Sequence, residues 1–310
     1  MRLDFFGELS VVIKGAGEMA SAVAHRLHMA NLTRICMTEI ETPLAVRRMV
    51  SFCEAVYDGY AEVEGVTAAL ARNKREVAER WADKKIAILV DPAWEIISAL
   101  KPDVVIDAIL AKRNLGTTRN DASLVIGIGP GFTAPEDVHV AIESNRGHHL
   151  GRVIYAGGPE PNTGVPGFIG GFSRERLLRS PHAGTVHHES VIGARVKKGD
   201  PVLRVDKTPV VAAIDGIVRG LIREMPVTAG RKLGDIDPRG DISCCHTISD
   251  KARAIAGGVL EALIGWASQH PLFLEECDER KFEKNRPARC TRKDARHPDR
   301  QWTAVSIGNR

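Results

Sequence analysis

Two glycines separated by one residue, Gly15 and Gly17, stand between the apolar run Leu9–Ile13 and the small-residue stretch Met19–Ala24. Missing side chains at such a junction let the chain turn tightly and let a phosphate or carboxylate approach backbone N–H groups at a helix start. The pattern reads Gly15-Ala16-Gly17-Glu18-Met19-Ala20, with Ala20 in the third small position of a dinucleotide-type fingerprint. A second apolar run, Arg34–Ile40, carries Glu39 near its end. That is where dinucleotide folds place the acid that accepts from a ribose hydroxyl, about 20 residues beyond the glycines. Glu41 is the second candidate, and a purely structural glycine turn remains the alternative.

Two further loops carry groups suited to an anionic ligand. Lys112, Arg113 and Asn114 follow Asp107, and the arginine fork matches a phosphate. Gly129 and Gly131, in Gly127-Ile128-Gly129-Pro130-Gly131, would allow close backbone approach. The first catalytic candidate is Cys245, as a free thiol for sulfur or selenium chemistry, which requires an exposed, low-pKa setting, and in an oxidoreductase Lys112 could transfer the proton if burial depressed its pKa. Asp237, Cys245 and His246 are not spaced to wrap one ion, so no metal is expected.

The elements that would position these groups alternate along the first half. Helical spacing over Thr67–Ala82 is followed by a buried strand at Ile86–Val90, a short helix at Trp94–Leu100, and strands at Asp103–Ala108, Ser123–Gly127 and Asp137–Ile142. This predicts an α/β fold whose first domain, residues 1–160, is a Rossmann-like parallel sheet with ligands beyond the carboxyl ends of its strands. Residues 161–179 continue a Gly/Pro-rich stretch that reads as linker or lid. Over 180–245 the pattern Gly-x-Val, then Val-x-x-Gly, occurs twice, with Gly184 matching Gly216 and Gly199 matching Gly230. This second domain, a small β-rich barrel-sandwich, is similar to biotinyl and lipoyl carrier domains. It has Val205-Asp206-Lys207-Thr208 where carriers present a lysine between two methionines, so no covalent biotin or lipoate is expected. A helix is predicted within 246–274 and a disordered charged tail over 275–310.

Composition narrows the classes. The chain has 310 residues, 44% hydrophobic and 26% charged, with formal net charge +4. Between Glu275 and Arg310, ten Lys or Arg stand against seven Asp or Glu, so +3 of that charge belongs to the tail and the body is near neutral. Nucleic acid is therefore not an expected partner. No apolar run approaches the roughly 18 residues of a membrane span, and six scattered cysteines without Cys-x-x-Cys form no disulfide framework. A cytoplasmic protein with no membrane partner is expected.

Taken in order, the motifs resemble the accessory family of the selenium-dependent molybdenum hydroxylase system, the YqeB type. The resemblance is carried by Gly15–Ala20, Pro43–Arg48 with Val50-Ser51-Phe52, Asp107–Asn114, Gly127–Phe132, Glu160–Gly164, Gly234–Gly240 and Ser249–Ala262. It implies a maturation factor that handles a nucleotide or molybdopterin-type cofactor, or its sulfur or selenium ligand. The implied partners are a molybdenum hydroxylase client or other cofactor-maturation proteins. Against that pattern Cys245 fits, whereas Cys244 departs from it. An NAD(P)-dependent oxidoreductase and a non-catalytic ligand-binding module remain the alternatives.

Overall fold

The computed structural model describes residues 7–269. Seven strands run parallel at the heart of its larger sheet: β1 (Ser10–Lys14), β2 (Arg34–Glu39), β4 (Val66–Ala71), β5 (Ile86–Val90), β6 (Val104–Asp107), β7 (Leu124–Ile128) and β8 (Val140–Ile142). Short antiparallel strands β3 (Tyr60–Val63) and β9 (Val153–Ile154) close the edges, giving the order β3-β4-β5-β2-β1-β6-β7-β8-β9. The order departs in opposite directions from β1, which places a switch point between β1 and β6.

Strand periodicity sends alternate side chains to opposite faces. Val12, Cys36, Ala87, Val105 and Val125 pack with Val77 of α3 (Lys74–Ala82), Ile96 of α4 (Glu95–Leu100), Phe132 and Val138. The other face carries α1 (Glu18–Met29) and α6 (Asp250–Gln269), which pack along one another. Because both faces are covered, the central strands read as continuous apolar runs instead of alternating ones.

Two expectations need correction here. Thr67–Ala82 is not one helix: β4 takes its first part, and α3 begins only after Asn73, whose side chain accepts from the Glu76 N–H at 3.0 Å. The strand expected over Asp137–Ile142 is shortened to three residues, with the His139 ring accepting the Val125 N–H instead.

The β-rich portion consists of two four-stranded antiparallel sheets. One has the order β10-β17-β15-β12 and the other β14-β13-β11-β16, formed by β10 (Leu177–Arg179), β11 (Gly184–His188), β12 (Arg195–Val196), β13 (Pro201–Val205), β14 (Thr208–Val211), β15 (Gly216–Leu221), β16 (Pro226–Val227) and β17 (Lys232–Asp237). The repeat maps β11-β12-β13 onto β15-β16-β17. Each copy lends its short strand to the other copy's sheet: β12 pairs with β15, and β16 pairs with β11. Val186, Val202, Leu203, Val218, Leu233 and Ile236 fill the single core between them. Lys207 sits with Asp206 in the tight turn joining β13 to β14.

The α/β and β-rich portions belong to one compact unit. The segment after β2 joins them. The Val46 carbonyl lies so close to β15 that a Cβ on Gly220 would meet it at 2.4 Å. Arg47, 4% exposed, donates to the carbonyls of Cys244 (2.8 Å) and Thr247 (2.9 Å), while Arg48 donates to the Leu221 carbonyl (2.8 Å). Arg223 reaches back to Glu54 at 2.7 Å and to Asp58 at the end of α2 (Ala55–Asp58). The stretch read as linker ends in β10, which is a strand of the smaller portion's sheet. The helix expected within 246–274 is seen as α5 (Ser243–His246) and α6, and the 275–310 tail lies outside the described residues.

Candidate functional site

At the carboxyl ends of β1, β2, β5 and β6 lies a cleft of about 530 Å³, bounded by Gly15, Gly17, Thr38, Glu39, Asp91, Trp94 and Ile109 among others. Gly15 holds φ +90° where a Cβ would come within 3.3 Å of the Ile109 Cα, so this position needs glycine for both conformation and closeness. Gly17 differs. Its φ is −72°, and a Cβ there would meet nothing within 4 Å. It caps α1 without a side chain, and the space before the helix start is open to a ligand group.

Glu39 reaches the cleft, but its carboxylate is already engaged. One oxygen accepts the Ala16 N–H at 2.9 Å and the other accepts its neighbour's, Ile40, at 3.0 Å. The acid therefore holds the glycine turn shut. Thr38, beside it, is 1% exposed and its hydroxyl has no hydrogen-bond partner among the described residues, although it lines the same cleft. A buried hydroxyl left unmatched costs about 1–3 kcal/mol, which a ligand donor or acceptor would relieve.

Sequence reasoning misses the buried network behind Trp94, which borders this cleft. Lys14, at the end of β1, is 1% exposed and donates to the Thr117 hydroxyl (2.8 Å) and to Asp121 (2.9 Å), with its ammonium 4.2 Å from the Trp94 ring centroid. Thr117 in turn donates to Asp107 at 2.6 Å. Burial pushes the Asp107 carboxyl above its ordinary range, while the Thr117 hydrogen bond pulls the other way. The chain Lys14–Thr117–Asp107 pins the 110–121 loop to β1 and β6 and orients Trp94. A charged residue closing the buried apolar run Val11–Ile13 was the available signal.

The remaining expected residues divide. Ala20 is fully buried in α1 and serves packing. Asn114 closes its own loop, accepting from Gly116 (2.9 Å) and Thr117 (2.8 Å) and donating to the Thr117 carbonyl (2.8 Å). Gly129 and Gly131 approach the chain itself: Cβ atoms there would meet the Ser144 hydroxyl at 2.6 Å and the Arg113 Cα at 2.5 Å. Neither glycine borders this cleft or the larger one described next, and neither does the exposed Arg113. Lys112 is exposed and borders a second, larger cleft, separated from the first by Glu18 and Met19.

Cys245 does not meet the demand placed on it. It is 1% exposed, its thiol faces the Val218 carbonyl at 3.7 Å, and burial pushes its pKa up, against the opposing pull of Arg47 and Arg219. A buried, protonated thiol is a poor nucleophile. Among the described residues, no group of three or more His, Cys, Asp or Glu is arranged to share an ion. No helix among them is long and apolar enough to cross a membrane.

No family model matches the chain. Over 259 residues it is 48% identical to a curated Escherichia coli (strain K12) protein, covering 83% of this chain and 48% of that one. The chain is similar to YqeB. The identity supports the YqeB-type resemblance, although the relative is described only as an uncharacterized protein, and the chain spans about half its length. Among solved structures, TcdA (CsdL) is 11% identical over 86% of this chain and 91% of that one, with a TM-score of 0.32. The ectoine utilization protein EutE (DoeB) of Ruegeria pomeroyi is 10% identical over 74% and 84%, with a TM-score of 0.24. An aspartoacylase family protein of Mesorhizobium loti is 14% identical over 74% and 84%, with a TM-score of 0.23. These scores are too low to carry an argument about this chain.

Proposed function

We propose that this chain is a cytoplasmic accessory protein in the maturation of selenium-dependent molybdenum hydroxylases, binding a nucleotide or molybdopterin-type ligand for a client enzyme or another maturation protein. The observation that carries the binding half is the cleft at the switch point. There an open helix start at Gly17, an unmatched Thr38 hydroxyl and the Trp94 ring meet at the carboxyl ends of a parallel sheet. These groups fit a ring system with a phosphate: the hydroxyl takes a polar edge, the cleft's apolar walls take the ring, and the α1 amides face the anion. The maturation half rests on the family resemblance and on similarity to YqeB.

In this reading the first portion is Rossmann-like, and the β-rich portion is a barrel-sandwich scaffold of biotinyl/lipoyl type that docks cofactor or client and carries no covalent group. The Glu39 carboxylate, which the NAD(P)-dependent alternative needs for a ribose, accepts one backbone N–H on each oxygen and so serves the glycine turn as well. With Cys245 buried, the role proposed is binding, with no bond-making step assigned.

Thermal-shift titration with native mass spectrometry against NAD, NADP, CTP, ATP and molybdopterin cytosine dinucleotide tests this directly, because a ligand of the native state must raise its stability. Stabilisation by the pterin or cytidine species, lost in Thr38→Val, is expected. Selective stabilisation by NAD or NADP would move the oxidoreductase reading ahead.

A further inference from the structure

The larger cleft, about 740 Å³, is roofed by residues 160–169 and lies between the α/β sheet and the β-rich portion. Its lining includes seven Lys or Arg side chains against two carboxylates, Glu18 and Glu160. The chain is otherwise close to charge balance, so this concentration is local.

Four of these cations come from separate elements: Arg146 after β8, Arg176 before β10, Arg219 in β15 and Lys251 at the start of α6. Arg146 is matched by Asp250, at 2.7 and 2.9 Å, and Arg219 donates to the Cys244 carbonyl at 3.3 Å, but carboxylates for the others are too few. Asp235 lies 3.6 Å from Arg176 and 3.7 Å from Lys232, so one carboxylate serves two cations. Asp237 lies 3.6 Å from Arg219, but its oxygens are held more tightly by Arg239, at 2.9 and 2.6 Å.

Arg176 is the decisive residue. It is 5% exposed, and its Nε and Nη1 have no hydrogen-bond partner among the described residues; Nη2 reaches the Gly167 carbonyl only at 3.3 Å. The Asp235 oxygen farther from it, Oδ1, is also without one. A guanidinium buried with unfilled donors is costly, and Asp235, at 3.6 Å and shared with Lys232, offsets its charge without filling them. Burial also pushes the Arg176 and Lys251 pKa values down; Asp235 pulls Arg176 the other way while Arg219 repels it, and Arg146 repels Lys251 against the pull of Glu18.

We propose that this cleft is a binding site for a phosphate-class dianion, a phosphate ester or pyrophosphate group of a small molecule, held by Arg176, Arg219 and Lys251. Planar guanidinium forks from two elements with an ammonium from a third suit a tetrahedral oxyanion carrying several acceptors. The 160–169 roof covers the group from above. The site does not depend on the ring-binding cleft, with which it shares only Glu18 and Met19 as a wall.

The test is calorimetric titration of the full chain with inorganic pyrophosphate at low salt, with acetate as control. Pyrophosphate is expected to bind and acetate to fail. Arg176→Met and Lys251→Met should each weaken binding by about tenfold or more, the scale of a lost charge-assisted hydrogen bond. If Arg176→Met does not fold, Lys251→Met carries the test. Thr38→Val alters only the other cleft and should leave pyrophosphate binding unchanged, which separates failure here from failure of the proposed function. Absence of pyrophosphate binding overturns the proposal. So does unchanged affinity in Lys251→Met, or equal weakening in Lys198→Met, which lies outside the cleft and would report diffuse charge attraction only.

Discussion

The carboxylate of Glu39 accepts the Ala16 N–H at 2.9 Å, so the acid at the end of the second strand acts on the glycine turn of the first. Glu39→Ala should destabilise the fold by about 1–3 kcal/mol, the cost of orphaning such an amide. Urea denaturation reads this directly. A carboxylate whose purpose was to bind a ribose would leave stability unchanged when removed and change only ligand affinity.

Gly17 and Gly131 make opposite predictions for the same substitution. Gly17→Ala places a Cβ in open space at an ordinary φ and should change stability by no more than about 0.5 kcal/mol while blocking the cleft. Gly131→Ala forces φ +111° on alanine and drives its Cβ toward the Arg113 backbone, for a loss of at least about 1–3 kcal/mol. Paired melting curves and ligand titrations distinguish the two.

Lys14→Met removes the buried cation between Thr117, Asp121 and Trp94. Asp121, part-buried and still bonded to the Thr118 hydroxyl, loses its cation, and the Thr117 hydroxyl loses a donor, which together should cost about 1–3 kcal/mol. The indole would lose a cation 4.2 Å away, so the tryptophan emission of the folded variant should shift as well. Unchanged stability would mean that the 110–121 loop is held by other contacts.

Cys244 is half-buried and Cys245 is buried. Brief alkylation of the native protein, read by peptide mass spectrometry, should label Cys244 and spare Cys245 until denaturant is added. Fast native labelling at Cys245 would restore it as a candidate for sulfur or selenium transfer.

The paired hydrogen bonds from Arg146 (2.7 and 2.9 Å) hold the Asp250 carboxyl well below the usual carboxylate range. A depressed folded-state pKa contributes stability above the unfolded value of about 3.9 and loses it as pH falls toward the folded one. The stability gap between wild type and Asp250→Asn should therefore be constant above about pH 5 and shrink in stronger acid. Because Asp250 is largely exposed, the gap should not exceed about 1 kcal/mol.

What the sequence made readable depended on how local the signal was. Ile86–Val90 forms β5 with the expected ends because a short apolar run between polar flanks has few other uses. Thr67–Ala71 misleads because its alanines and leucine favour helix, whereas pairing with Ile86–Leu89 on one side and Tyr60–Val63 on the other makes it a strand. Glu39 is visible as an acid at the right distance, but its choice of partner depends on how the glycine turn closes. Arg176, Arg219 and Lys251 are unremarkable in their own segments. They become a cluster only when β10, β15 and α6 are brought to one cleft, and no periodicity encodes that meeting.

The exchange of β12 and β16 between the two copies of the repeat bears on how this portion can form. Neither copy can complete a sheet with its own strands, so half of the duplication is not a smaller version of the whole. The two copies must assemble together or not at all. Because β12 and β16 are the outer strands of their sheets, opening at either one frees a copy from its partner while leaving the inner pairs β15-β17 and β11-β13 in place, so the tie between the copies is the part that can give first and the strand carrying Arg219 is the part that holds.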